Sequence, residues 1–155
     1  MKLYHKKFND LTPLELYKIL QLRSAVFVVE QNCVYQDLDN KDLISTHIFY
    51  KDDNNNIVAC TRTIPAGVSF DAHSFGRVCT DKNFRGQKLG IKIVDATIKY
   101  MLETMGVEEI TISAQEYLRK FYASFGFKEV SDVYMEDDIP HVRMILAKEN
   151  YIKRT

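Results

Sequence analysis

The chain has 155 residues, 46% of them hydrophobic and 27% charged, with 21 basic side chains balanced by 21 acidic ones. This length suits a single domain spanning residues 1–155 with a core of its own. Zero net charge argues against a general nucleic-acid binder, which leans on excess cations, and no apolar run reaches membrane-spanning length.

Residues 2–8, KLYHKKF, alternate apolar and polar and predict a short strand. Thr12 and Glu15 then form a capping box with Pro13 at the first helical position. The helix they open is predicted over residues 13–29, with Leu16, Ile19, Leu20, Val26 and Phe27 on its apolar face. STHIFYKD and NIVACTRTIP read as strands separated by the turn-rich DDNNN, and SFGRVCT as a third strand paired with the second. Ile93, Val94, Thr97, Ile98, Met101, Leu102 and Met105 share one helical face that stops at Gly106. A strand follows over residues 108–114. Next comes a helix with Tyr117, Leu118, Phe121, Tyr122 and Phe125 at helical spacing and Gly126 as its stop. FKEVSDVYM and HVRMILAK complete the chain as two strands. This order predicts an α/β fold with one mostly antiparallel mixed sheet and helices on both faces.

The stretch DKNFRGQKLG, directly before the second long helix, carries the chemistry. A strand, a glycine-bearing loop and a helix start make a phosphate cradle. The first N–H groups of the helix lack partners, and the helix dipole adds roughly half a positive charge there. Gly86 and Gly90 allow close approach of a ligand, and Arg85 and Lys88 add cations. Taken alone, such a loop is more often a glycine turn with two solvated cations. No Gly-Lys-Ser/Thr follows, so it is not a Walker loop, and it lacks the first-strand setting of a dinucleotide fold.

GRVCTDKNFRGQKLG, followed by a helix, a strand and AQEYLRKFYASFGF, resembles the GNAT superfamily of N-acetyltransferases. That family binds the pyrophosphate of acetyl-CoA through an Arg/Gln-x-x-Gly-x-Gly/Ala loop. Here the loop is Arg85, Gly86, Gln87, Lys88, Leu89 and Gly90, with Lys88 where the family has its middle glycine. Gln115, Leu118, Phe121, Tyr122, Gly126 and Phe127 match its downstream helix, with Gln115 for an asparagine and Leu118 for an alanine. RSAVFVVEQNCVYQDLDNKDLISTH and YMEDDIPHVRM further resemble the ElaA-like branch.

The resemblance implies that an acetyl group passes directly from acetyl-CoA to a primary amine of a small-molecule or peptide acceptor. Val78, Cys79 and Thr80 would offer backbone groups to the pantetheine, with the N–H of Val78 or Cys79 polarising the thioester. Tyr122 takes the family's general-acid position, although its spacing equally suits a packed core face. For the base, or for binding the acceptor, the candidates are Glu30, His47 and His141. A lone histidine is more often structural, and the base is equally well a relayed water. Two acidic groups, one of Asp37, Asp39 and Asp42 and one of Glu136, Asp137 and Asp138, would attract a cationic amine if they met at the acceptor cleft. Acid runs are otherwise usually solvated loops. Cys79 has no neighbouring feature that would activate its thiol. The start MKLYHKKFND lacks a signal-peptide apolar region, and Cys33, Cys60 and Cys79 read as reduced thiols rather than a disulfide frame or zinc site. A cytoplasmic monomer or homodimer without a metal is expected. The rival readings are a non-catalytic acyl-CoA-binding module that regulates a partner, an interaction domain that binds no CoA, and, more distantly, a nucleotide-binding enzyme.

Overall fold

A computed structural model describes residues 1–155. Strand β1 (Lys2–Lys7) leads into helix α1 (Pro13–Arg23), whose start has the predicted cap: Glu15 N–H donates to Thr12 Oγ1, and Thr12 N–H donates to the Glu15 carboxylate. The helix does not continue as α to residue 29. Ser24–Glu30 winds as a π-helix. Strands β2 (Thr46–Lys51), β3 (Ile57–Ile64) and β4 (Ser74–Thr80) follow, then helix α2 (Leu89–Lys99), which ends in a π-helical turn, Tyr100–Thr104. Strand β5 (Glu109–Gln115) precedes a short α3 (Arg119–Ala123), and β6 (Lys128–Glu129), β7 (Tyr134–Glu136) and β8 (Ile139–Ala147) close the fold.

The sheet is built in two antiparallel halves, β1-β2-β3-β4 and β5-β8-β6, with β7 also paired to β8. One parallel bridge, His73 to Ile110, joins them, with Thr111 N–H donating to the His73 carbonyl at 2.9 Å. Past that point β4 and β5 are unpaired. β3 is buried along its whole length because both of its faces are covered. Ile19, Leu22 and Phe27 of the first helical segment pack with Phe49, Ile57, Cys60 and Cys79 on one side. Ile93, Val94 and Ile98 of α2 pack with Ile48, Val58 and Met144 on the other. Burying such side chains contributes about 1.5–3 kcal/mol each.

The last predicted strand pair is more broken than its sequence suggests. FKEVSDVYM divides into β6 and β7 because Ser131 Oγ, rather than a backbone carbonyl, accepts the Arg143 N–H at 2.8 Å. Asp137 and Asp138 (φ 50° and 61°) then form the two-residue turn between β7 and β8. Gly126 ends the α3 segment at φ +103°, and a Cβ there would lie 2.0 Å from the Asn150 carbonyl oxygen. Only glycine fits. No helix is long and apolar enough to cross a membrane.

Candidate active site

A cleft of about 680 Å³ opens where β4 and β5 separate. Its origin is a bulge in β4. Cys60 pairs with Cys79 but Arg62 pairs with Gly76, so Arg77 and Val78 share the place opposite Thr61. Arg77 takes the left-handed conformation there, at φ 52°. Asp81 N–H donates to the Val58 carbonyl at 2.8 Å, which fixes which residues of β4 bond to β3. By two-residue alternation Cys79 faces β3, while Val78 and Thr80 turn their backbone groups to the open edge.

Cys79 therefore offers neither a backbone donor nor a nucleophile to the cleft. Its thiol is buried 3.4 Å from that of Cys60, and this contact and burial push it well above an ordinary thiol. Cys33, Cys60 and Cys79 are all free thiols.

Beyond Thr80 lies the loop of Arg85, Gly86, Gln87, Lys88, Leu89 and Gly90. Gly86 has φ +84°, and a Cβ on Gly86 or Gly90 would meet no heavy atom within 4 Å. No side chain caps α2, so the N–H groups of its first turn face open space and fit an anionic diphosphate. Lys88, at the position of the family's middle glycine, is itself left-handed at φ 57°. The glycine preference there is conformational, and lysine meets it at a cost of about 1–2 kcal/mol. Arg85 is at the loop, but its guanidinium holds both oxygens of Glu30, at 2.6 and 2.8 Å.

That contact removes Glu30 from the proton acceptors. The hydrogen bond from Arg85 keeps its carboxyl below the ordinary range, and it does not line the cleft. His47 is removed for a different reason. It is 0% exposed, lies outside the cleft lining, and donates Nε2–H to the Asp42 carbonyl at 2.9 Å. Burial lowers its pKa, which suits a neutral structural imidazole.

His141 and Tyr122 do line the cleft, together with Gln115 and Val78. On β8, His141 stands opposite Gln115 of β5 and Tyr134 of β7. Its Nδ1 is 2.7 Å from the Ile139 carbonyl and acts as donor, leaving the Nε2 lone pair free, with Glu136 Oε2 at 3.3 Å. Tyr122 packs edge-on to Phe121 and Phe127, and its hydroxyl makes no hydrogen bond within the protein. Burial pushes its phenol well above the ordinary value, so it stays protonated at neutral pH. Gln115 Nε2 reaches Gln31 Oε1 across the cleft at 3.5 Å.

The two acidic groups do not act together. Arg23 binds Asp37 and Asp42 at 3.0 and 2.6 Å, Arg62 binds Asp39 and Asp42, and Arg77 reaches Asp37 and Asp39. Three arginines thus neutralise three aspartates. Only Glu136 and Asp137 bring acidity to the cleft without an arginine partner. The sequence reading missed Gln31, Arg77, Tyr134 and Arg143. Arg143 was within its reach, since alternation along one strand puts it on the same face as His141.

An acetyltransferase (GNAT) domain family model matches residues 15–148. A UPF0039 protein of Synechocystis sp. is 41% identical over 140 residues, which cover 90% of this chain and 91% of that one. Protein ElaA of Escherichia coli is 40% identical over 139 residues, covering 88% and 90%. Its crystal structure superposes with a TM-score of 0.85 over 94% of this chain and 99% of that one, at 37% identity. The crystal structure of an acyl-CoA N-acyltransferase from Pseudomonas aeruginosa gives 0.87 at 35% identity, over 95% and 100%. The likeness to the ElaA-like branch drawn from the two end segments is borne out.

Proposed function

Because the chain belongs to the acetyltransferase (GNAT) domain family, we propose that it moves an acetyl group from acetyl-CoA to a primary amine, by direct attack with both substrates bound. The observation that carries this reading is the unpaired edge of β4, which runs from the uncapped start of α2 to the wall bearing His141. Acetyl-CoA, when bound, supplies a thioester carbonyl and a thiolate leaving group.

The residues divide the work. The N–H groups at residues 86–90 receive the pyrophosphate, with Lys88 adding charge. Val78 and Thr80 accept the pantetheine as an added strand. The Val78 N–H, rather than that of Cys79, stabilises the oxyanion. His141 Nε2 takes the proton that the amine loses as its nitrogen bonds to the acetyl carbon. Nδ1–H, fixed on the Ile139 carbonyl, holds the tautomer, and Glu136 steadies the imidazolium. As the carbon–sulfur bond breaks, Tyr122 donates its hydroxyl proton to the departing sulfur and later recovers one from solvent. Its raised pKa makes it a weaker acid than a free phenol, so its contribution sits at the lower end for a general acid.

The test is thiol release from acetyl-CoA over a panel of amines, with mass detection of the acetylated products. Turnover supports the reading. Acetyl-CoA binding without turnover of any amine would leave the binding-only module, and no binding would overturn both.

A further inference from the structure

The charges lining the cleft are sorted by position. Arg62 and Arg77 are neutralised by their aspartates. What remains is a negative pole at the β7–β8 hairpin, formed by Glu136 and Asp137, and two cations at the other end. Those cations are Lys41 and Arg143, and no carboxylate reaches either one. Both approach the loop between β3 and β4. Lys41 Nζ donates to Ser69 Oγ at 2.8 Å, and the Arg143 guanidinium lies over the Phe70 ring, 5.0 Å from its centroid. Phe70 holds the arginine fork in place without using its hydrogen bonds, so the donors stay available.

Arg143 follows His141 by two residues on β8. Their side chains leave the same face of the strand, and their α-carbons stand roughly 7 Å apart along it. A molecule with its amine at His141 and Glu136 would bring any attached anionic group to Arg143. We infer that the acceptor is an aminocarboxylate, a primary amine that also carries a carboxylate, with Arg143 as the residue that selects it. An amine lacking the anion would leave the guanidinium facing only water and ring. A planar carboxylate would gain two parallel charge-assisted hydrogen bonds.

This inference rests on the transferase reading above, and one experiment separates the two. The full chain is assayed with acetyl-CoA and three matched pairs: γ-aminobutyrate and its amide, δ-aminovalerate and its amide, and lysine and lysinamide. Each pair is compared at equal free-amine concentration. The carboxylate member should have a kcat/KM about ten- to a hundredfold higher, carried mainly by KM. Arg143→Gln should bring the two members of each pair together by raising KM for the carboxylate, and Arg143→Lys should restore part of the gap. Arg143 is exposed, so both variants should keep the wild-type melting temperature. Acetylation of both members at equal efficiency would overturn the inference and leave the transferase reading standing. A carboxylate preference that survives Arg143→Gln would overturn the role of Arg143. No acetylation of any amine would remove both readings together.

Discussion

The two walls of the cleft are built from the same kinds of side chain and behave in opposite ways. On the wall formed by β3, β4 and the segment after α1, Arg62, Arg77 and Asp39 line the cleft, and with Arg23, Asp37 and Asp42 buried behind them their charges are matched until little is left to offer. On the wall formed by β7 and β8, Glu136, His141 and Arg143 have few or no partners within the chain. A charged cluster at a cleft is a scaffold when it is paired and buried, and a binding surface when it is left incomplete. The paired wall sets the shape: Arg77 at the bulge is held by Asp37 and Asp39, so the network that consumes the charge also fixes where β4 departs from β5.

The largest expected effect comes from breaking the paired wall. Arg23 is 1% exposed, and Arg23→Met would leave Asp37 and Asp42 buried with one cation fewer. A loss of about 3–5 kcal/mol is expected in chemical denaturation, and a loss below about 1 kcal/mol would mean that the network is not structural. The same wall predicts the acid limit. Burial opposes the charge on Asp39 and Asp42, but hydrogen bonds from Arg62 and Arg23 outweigh it and hold both carboxyls below their ordinary value of 3.8. Their contribution to stability is complete above that value and falls as pH drops through the lower folded values. Stability that stayed flat from neutral pH to well below 3.8 would contradict this.

Breaking the unpaired wall should spare the fold and remove activity. His141→Gln keeps a polar group on β8 but no base, and kcat should fall about a hundredfold or more, with the melting temperature within a few degrees of wild type. Wild-type turnover in this variant would move the proton to a water. Tyr122→Phe keeps the ring among Phe75, Phe121 and Phe127. A fall in kcat of about tenfold is expected, smaller than for His141 because burial makes the phenol a weaker acid. A collapsed melting temperature with unchanged kcat would make Tyr122 a core residue.

Lys88→Gly should have the smallest effect on stability. Relief of the left-handed backbone, about 1–2 kcal/mol, is partly offset by the greater freedom of a glycine in the unfolded chain, about 0.4–1 kcal/mol. The readout is therefore CoA affinity, which should drop and depend less on salt if this unpaired cation meets phosphate. Unchanged affinity and salt response would leave Lys88 as a solvated side chain.

Much of the fold was legible because its signals are local. The capping box of Thr12 and Glu15, the apolar face of α2 and the alternation of the long strands each lie within a few residues of sequence. The break between β6 and β7 was not, because the Ser131 hydroxyl that interrupts the ladder meets an N–H 12 residues further on. The cleft divides in the same way. The phosphate loop is contiguous and its resemblance could be read directly. The fates of Asp37, Asp39, Asp42, Glu30 and His47 depended on arginines and backbone elsewhere, with Arg85 meeting Glu30 across 55 residues. No spacing rule tells a paired aspartate from a free one.

The gap between β4 and β5 also bears on solubility. An unpaired strand edge usually lies on the rim of a sheet, where another chain can add to it and start aggregation. Here one such edge, at Val78 and Thr80, sits in the middle of the sheet between two walls. β1, the outermost strand of its half, instead carries the exposed Lys2 and Lys7, whose charges oppose the addition of another strand. The interior edge lies between the two walls of the cleft, away from that rim. An edge left open for a ligand is thus set apart from the rim where strand addition usually starts.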